Sequence, residues 1–169
     1  MTLLRWNIPN SLLTESIAVM RPHGVKGNEG LALWFGTSDG ARAKVTHLVK
    51  LTGPGFMTSP LYMCLSARAM SVLTDLTEKI DAVLIGQIHS HPNRLLDLSE
   101  LDIRHGIRSQ DYLSVVCPYY AQRELDDFNE CGVHIFENSH YRRISSNEIA
   151  NRITLSNSQL TKVRCEVPA

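Results

Sequence analysis

The sequence predicts an α/β fold in which a central mixed β-sheet is sandwiched by α-helices. Short apolar runs rich in β-branched residues, such as residues 82–86 and 112–117, are typical of buried strands. Ahead of these runs, residues 61–80 place apolar side chains on one face of a helix. The Asp39-Gly40 pair between strand-like segments indicates a hairpin. Strands that alternate with two or three helices favour one sheet covered by helices.

The predicted elements follow one another in a simple order. Strands are predicted at residues 3–8, 31–35, 41–51, 82–91, 112–117, 131–136 and 141–144. A helix is predicted from residue 12, ended by the segment 21–24, and further helices are predicted at residues 61–80, 99–107 and 146–154. Alternation along the third strand places Ala43 and Val45 on the same face as His47 and sets Leu48 on the other face.

The composition is that of an ordinary soluble globular protein, with 43% hydrophobic and 20% charged residues. We expect one domain over residues 1–169, in which residues 155–169 form a tail that is flexible or docks on a partner. Seventeen basic and seventeen acidic side chains cancel. This balance lacks the basic footprint of proteins that bind nucleic acid or anionic membranes.

We expect a cytoplasmic protein. No apolar run reaches transmembrane length, and residues 1–10 lack the basic and apolar character of a signal peptide. The cysteines are scattered without a Cys-x-x-Cys pair, which favours buried reduced thiols over a disulfide framework. They are Cys64, Cys117, Cys131 and Cys165.

A metal-ligand pattern follows the apolar run at residues 82–86. His89 and His91 lie two apart at the end of a strand, so their side chains project to the same side while Ser90 points away. Downstream, Ser99 and Asp102 share the first turn of a helix that can fold back toward the histidines. Two imidazoles, one carboxylate and an open fourth position are the pattern of catalytic zinc.

Ordinary roles for the same residues stay open on spacing alone. A His-x-His pair is common without a metal, and Ser-x-x-Asp is also a helix capping pattern in which the Ser99 side chain accepts from a backbone N–H. The other histidines show no ligand spacing and are interpreted as surface or satisfied core residues. They are His23, His47, His105, His134 and His140.

The spacing His89-Ser90-His91, seven residues, Ser99, two residues and Asp102 resembles the complete JAMM motif of the JAB/MPN metalloprotease family. The family also has a glutamate beside a glycine ahead of an apolar strand, and Glu29-Gly30 before residues 31–35 matches it. The resemblance in element order extends over about residues 4–144. In its length and in the sequence Glu-Gly-Leu-Ala-Leu-Trp at residues 29–34, the chain further resembles the compact bacterial members of the family. These are encoded beside ubiquitin-like conjugation enzymes in antiphage defence operons.

The resemblance implies an MPN fold, with layering like that of cytidine deaminases, and one catalytic Zn²⁺ on His89, His91 and Asp102. It implies that Glu29 is the general base and that Ser99 donates to the oxyanion. The implied reaction is hydrolysis, by a water whose pKa is lowered to roughly 7, of the amide bond after the C-terminal glycine of a ubiquitin-like protein. Implied partners are that protein or its conjugates and ubiquitin-activating or ubiquitin-conjugating enzymes of the same operon.

The residue types and their spacing, without the family resemblance, leave other roles open. Glu100, Asp97 and Asp111 compete with Glu29 for the role of base. The Gly- and Pro-rich segment 52–60 is a connection, or its Phe56 and Met57 contact substrate. Arg94 is either a solvated loop charge or a contact to an acidic group of the substrate.

Three rival functions are weighed against this interpretation. A non-catalytic MPN scaffold would be expected to lack ligands, whereas all motif positions are present here. A nucleobase deaminase needs His-x-Glu with Pro-Cys-x-x-Cys, which this chain lacks. A JAMM peptidase that processes a sulfur-carrier or phage-tail protein keeps the chemistry and changes the substrate.

Overall fold

A computed structural model describes residues 4–169 as a mixed α/β protein, which confirms the predicted fold class. The strands are β1 (Arg5–Pro9), β2 (Leu31–Ser38), β3 (Arg42–Thr52), β4 (Phe56–Thr58), β5 (Met63–Leu65), β6 (Val83–Ser90), β7 (Tyr112–Cys117), β8 (Gly132–Glu137), β9 (His140–Arg143), β10 (Ile153–Ser156) and β11 (Thr161–Glu166). The helices are α1 (Leu12–Gly24), α2 (Ala67–Ile80), α3 (Glu100–His105) and α4 (Ser146–Arg152). Leu3, which begins the first predicted strand, lies outside the described residues.

Nine of the strands form one sheet in the order β10-β1-β3-β2-β6-β7-β8-β9, with β11 paired to β3. The long strand β3 pairs with β1 near its start and with β11 near its end, in both cases in parallel. Its other edge pairs antiparallel with β2, which pairs antiparallel with β6. β6 and β7 are parallel neighbours in the middle of the sheet. β4 and β5 form a separate two-stranded hairpin.

The two faces of the sheet bury different cores. One face carries Trp34 and Ile88, which pack with Ile17 of α1. The opposite face carries Leu33 and packs against Leu73 of α2. Burying a side chain of this size stabilises the fold by about 1.5–3 kcal/mol. The hydrophobic pattern therefore anchors α1 and α2 on opposite faces of the same sheet.

The long helix predicted at residues 61–80 is wrong in its first turns. Residues 63–65 form β5 instead, and Leu61 is exposed. The helix starts only after Ser66, whose hydroxyl accepts a hydrogen bond from the Ala69 N–H at 3.1 Å. A strand of three residues is too short for its alternation to compete with the apolar spacing of the helix that follows it.

Helix α1 ends at Gly24, within the segment 21–24 that the sequence predicts to end it. One further sequence prediction, the alternation along β3, is corrected. In β3 the alternation breaks, because a bulge in the pairing with β2 shifts the register between Phe35 and Gly36. Leu48, not His47, is therefore buried together with Ala43 and Val45. A bulge of this kind inserts an extra residue and inverts the faces beyond it.

The predicted flexible tail at residues 155–169 is also wrong. β11 pairs with β3 over six residues, and both Cys165 in this strand and Val167 just after it are buried. The Val167 N–H donates to the Thr52 carbonyl at 2.8 Å, and the Gly55 N–H donates to the Val167 carbonyl at 2.9 Å. The tail is thus a strand of the main sheet that also fastens the start of the β4–β5 hairpin.

Over the described part of the chain, none of the helices is both long enough and apolar enough to span a lipid bilayer.

His134 in β8 yields a test of the buried core. Its side chain is buried, and burial lowers the pKa of the imidazole to about 4. Between pH 6.5 and 4 the unfolded chain takes up a proton that folded His134 does not, so this group loses stabilising effect as the pH falls. The stability advantage of wild type over H134Q should shrink by up to about 3 kcal/mol in that window. Urea unfolding of both metal-free proteins at several pH values measures it, and a constant difference would contradict the assignment.

Candidate metal centre

The two histidines of the motif are fixed by the middle strand of the sheet. His89 lies within β6, paired with Leu31 of β2 on one side and Val116 of β7 on the other. His91 follows the end of the strand, and its N–H donates to the Cys117 carbonyl at 2.9 Å. Both side chains are buried, and their Nε2 atoms lie 3.2 Å apart. Two imidazoles thus converge from one rigid segment.

Asp102 reaches the histidines from the first turn of α3. The turn is a capping box in which the Ser99 hydroxyl accepts from the Asp102 N–H at 3.1 Å and the Asp102 carboxylate accepts from the Ser99 N–H at 2.7 Å. The same carboxylate lies 3.4 Å from Nε2 of His89 and 3.2 Å from Nε2 of His91. The local capping geometry therefore aims the carboxylate back at the strand end.

These three side chains fit a single metal ion. Ligand atoms bonded at 2.0–2.1 Å in a tetrahedron are about 3.3–3.4 Å apart, and the separations observed here are 3.2–3.4 Å. Nδ1 of His91 lies 3.0 Å from the Leu95 carbonyl. That carbonyl holds the imidazole proton on Nδ1 and leaves the Nε2 lone pair facing the cluster. Within residues 4–169 no second group of His, Cys, Asp or Glu side chains has this geometry.

The electrostatics agree with a cation site. Burial alone would raise the pKa of Asp102, but hydrogen bonds from His89 and His91 hold it well below its ordinary range. Burial would lower the pKa of His91, and the Asp102 carboxylate raises it instead. The cluster therefore keeps Asp102 ionised beside the imidazoles, and its negative charge favours a cation at this point.

Glu29 lies beside this cluster, at the start of β2. Its side chain is only 3% exposed. Burial raises its pKa to about 7, His91 opposes that rise, and Asp102 adds to it. A carboxylate with a pKa near neutrality is suited to exchange protons at physiological pH. Of its competitors, Asp97 is exposed and paired with Arg143, and Glu100 is exposed. Asp111 is half-buried and accepts from its neighbour Gln110.

Close packing against α1 explains why Glu29 is followed by glycine. A Cβ on Gly30 would lie 2.8 Å from Cβ of Met20 in α1, so a larger residue would push α1 off the sheet. The Gly30 N–H donates to the Ser90 hydroxyl at 2.8 Å. Ser90, which the sequence places on the face away from the two histidines, is thus buried against β2 and ties the Glu29 segment to the histidine strand. The only hint of this contact in the sequence was a serine placed between the two histidines.

An apolar cavity of about 600 Å³ adjoins Asp102. It is lined by residues from β2, β5, α2, β6 and α3, which lie far apart in the sequence, among them Leu33 of β2, Met70 of α2 and Leu101 of α3. Gln87 lies in its wall and accepts a hydrogen bond from the buried Tyr112 hydroxyl at 3.0 Å. Leu101 and Ile103 of α3 are exposed. Leu101 therefore presents apolar surface to solvent at the edge of the cavity.

The substrate-contact candidates from the sequence fall in different environments. Phe56 is buried in β4 and packs edge-on against His23 at 5.5 Å between ring centroids, so the structure gives it a packing role. Met57, next to it, is exposed, and so is Arg94 in the loop after the histidines. The segment around Phe56 is a hairpin strand rather than the connection expected from its glycines and prolines.

Known proteins resemble the chain in sequence and in fold. The probable metalloprotease y4jG of Sinorhizobium fredii is 23% identical over 150 residues, which cover 88% of this chain and 93% of that protein. The solution structure of protein DSY2949 from Desulfitobacterium hafniense superposes with a TM-score of 0.66 at 18% identity, covering 91% of this chain and 94% of that one. AF2198, a JAB1/MPN domain protein from Archaeoglobus fulgidus, gives a TM-score of 0.46 at 12% identity, covering 92% and 99%. No protein-family model matches the chain.

The sequence relative spans nearly the whole chain, including the motif segment and the glutamate segment ahead of β2. In the structure these two segments meet, with three ligand-type side chains gathered around one point and Glu29 buried beside them. The two segments that the sequence singles out thus meet in one site, and the relative that is similar over both of them is named a probable metalloprotease.

Proposed function

We propose that the chain is a zinc-dependent peptidase that hydrolyses the isopeptide or peptide bond after the C-terminal glycine of a ubiquitin-like protein. The convergence of His89, His91 and Asp102 beside the buried Glu29 is the observation that carries the proposal. The similarity to a probable metalloprotease supports the peptidase chemistry. The ubiquitin-like substrate comes from the JAMM resemblance.

Zinc fits this ligand set better than the hard divalent cations do. Two imidazoles and one carboxylate, with a corner left open, are characteristic of catalytic zinc, whereas magnesium and calcium prefer oxygen ligands throughout. When bound, the ion supplies an activated water at neutral pH and polarises the carbonyl of the scissile bond. His89, His91 and Asp102 would hold it.

The remaining steps belong to side chains of this protein. Glu29 takes the proton from the attacking water and passes it to the leaving amine, a role suited to its pKa of about 7. Ser99 accepts the Asp102 N–H and so keeps the ligand turn in place. Its own hydroxyl hydrogen is left to donate to the developing oxyanion, since a hydroxyl can accept and donate at once.

The substrate approach is proposed from the surface beside Asp102. A glycine-ended tail is flexible and has little side-chain bulk, so it can lie extended against a strand edge and reach a recessed centre. The apolar cavity between α2 and α3 would bury apolar side chains that precede the glycine. As context we propose bacterial ubiquitin-like conjugation in antiphage defence, in the cytoplasm, with activating or conjugating enzymes as partners.

Substitution of Glu29 and His91 separates metal binding from chemistry. E29Q should retain zinc, because Glu29 is not a proposed ligand, but lose about 10²–10⁴-fold in kcat as the base is removed. H91A should lose both zinc and activity. Zinc content by elemental analysis and cleavage of a ubiquitin-like protein fused through its terminal glycine to a reporter protein measure the two properties.

H140A is the matched control, because His140 is exposed and, within residues 4–169, its ring hydrogen-bonds only to the carbonyl of Asn138 in the neighbouring turn. It should keep wild-type zinc content and rate. Normal cleavage by E29Q would show that the base is misassigned. A wild-type protein that is free of metal and indifferent to chelators would refute the peptidase and leave a binding scaffold.

The cavity can be tested by placing a charge in its wall. Met70 is 46% exposed on α2 and lines the cavity, so M70D should fold but repel an apolar side chain. We expect KM for the fusion protein to rise about tenfold or more with little change in zinc content, since burying a carboxylate against apolar substrate is costly. S71D places the same charge one residue along the helix, outside the cavity, and should behave as wild type. Equal KM values for the two variants would exclude the cavity from substrate binding.

A further inference from the structure

The strands that carry the base and the metal ligands separate just before the site. β2 and β6 are joined at their ends by the Ser90 N–H, which donates to the Gly30 carbonyl at 3.1 Å. One residue further, Glu29 and His91 turn to different neighbours. The Glu29 N–H donates to the Ser59 carbonyl in the hairpin at 2.9 Å, and the His91 N–H donates to Cys117 at the end of β7. Beyond the bonds between Gly30 and Ser90, the relative position of base and ligand therefore also depends on what joins the hairpin to the chain after β7.

The chain after β7 forms an unusual left-handed turn. Tyr119, Tyr120 and Ala121 have φ values of 54°, 54° and 56°, although none is glycine. For a residue with a side chain, this left-handed backbone conformation costs free energy, so the conformation persists only where the surrounding structure enforces it. Here the Tyr119 N–H donates to the Asn93 carbonyl at 3.0 Å and the Tyr120 N–H donates to the His91 carbonyl at 2.7 Å. The strained turn thus hydrogen-bonds to the backbone on both sides of Pro92.

The side chain of Tyr120 reaches the hairpin from the same turn. Its hydroxyl donates to the Pro60 carbonyl at 2.9 Å. Pro60 directly follows Ser59, whose carbonyl holds the Glu29 N–H. One residue therefore contacts the backbone of a metal ligand through its N–H and, through its hydroxyl, the turn that holds the base.

The same turn is fitted against the end of α1, which leads into Glu29. A Cβ on Gly24 would lie 1.9 Å from the Tyr120 carbonyl oxygen, so only glycine allows this approach. Gln122 donates to the Gly24 carbonyl at 2.8 Å. The close packing fixes the turn in place, and the direction of the Tyr120 side chain follows from it.

We propose that Tyr120 is a positioning residue for the hydrolysis: its hydroxyl bond to Pro60 sets the hairpin, and through Ser59 it sets Glu29 at the working distance from the ligand His91. The inference rests on the proposed function, in which Glu29 is the base. A base displaced by a fraction of an ångström to an ångström loses much of its effectiveness. The bond acts on the base side alone, because the hold on His91 is made by the main chain of Tyr120.

Y120F tests the proposal by removing one hydroxyl. It should lower kcat about tenfold and leave KM within about twofold, because the base is displaced while substrate contacts remain. Zinc content and melting temperature should stay near wild type, since the backbone bond to His91 is retained. In the metal-free protein, hydrogen exchange of the Glu29 amide should quicken about tenfold relative to that of Ala32, which lies within the paired region of β2.

Y119F is the matched control from the same turn. The ring of Tyr119 stacks beneath the Arg123 guanidinium at 3.9 Å, a contact that phenylalanine keeps, and its hydroxyl makes no hydrogen bond within residues 4–169. It should match wild type in kcat, zinc content and exchange. Equal kcat and equal Glu29 exchange for Y120F and Y119F would overturn the proposal, and so would faster exchange with an unchanged kcat.

Failure of the positioning role is distinguishable from failure of the proposed function. If wild type cleaves the fusion protein and E29Q does not, an unaffected Y120F removes only the role of Tyr120. If wild type does not cleave it, the peptidase itself fails, and unchanged exchange at Glu29 in Y120F then removes the coupling as well.

Discussion

The structure depends on the pairing of β6 with a neighbour on each side. Because β2 and β7 both bond to it, the backbone of His89 has no freedom to rotate, and His91 follows immediately under a bond from β7. This backbone places the Nε2 atoms of the two imidazoles 3.2 Å apart. A metal centre built on a loop would have to be ordered by the ion. Here the sheet has already met the entropic cost of ordering.

Two carboxylates close together behave differently because their surroundings differ. Asp102 accepts hydrogen bonds from a backbone N–H and faces two imidazoles, so its ionised form is favoured despite burial. Glu29 has burial as its dominant influence, and its pKa rises to about 7. The separation gives the site one carboxylate fitted to hold a cation and one fitted to carry a proton. This division of roles between paired acids is a general way to run proton transfer at neutral pH.

The sequence predicts the parts of the site that are local. His89 and His91 share a strand, and Ser99 and Asp102 share a helical turn. The two-residue period of a strand and the three-residue spacing in a helix therefore predict which of these side chains lie on a common side. Glu29 lies sixty residues before His89, and only family resemblance singled it out from Glu100, Asp97 and Asp111. Ser90, Gln87 and the cavity depend on which strands become neighbours, and no local period encodes that. The strand at residues 161–166 was missed for the same reason, since its partner β3 lies far earlier in the chain. The strand at residues 63–65 pairs locally with β4 and was missed because three residues are too few for alternation to show.

The helices explain why the site is open on one side. α1 and α4 together cover the face of the sheet that carries Trp34 and Ile88. On the opposite face, α2 packs over β2 and β3, and the short α3 buries none of its own residues. The gap between these two helices is the apolar cavity, and Asp102 stands at its edge. A longer, better buried α3 would seal the cavity and add core stability. A six-residue helix held by its capping box gives up that burial, so the ligand carboxylate is placed without blocking the way to it.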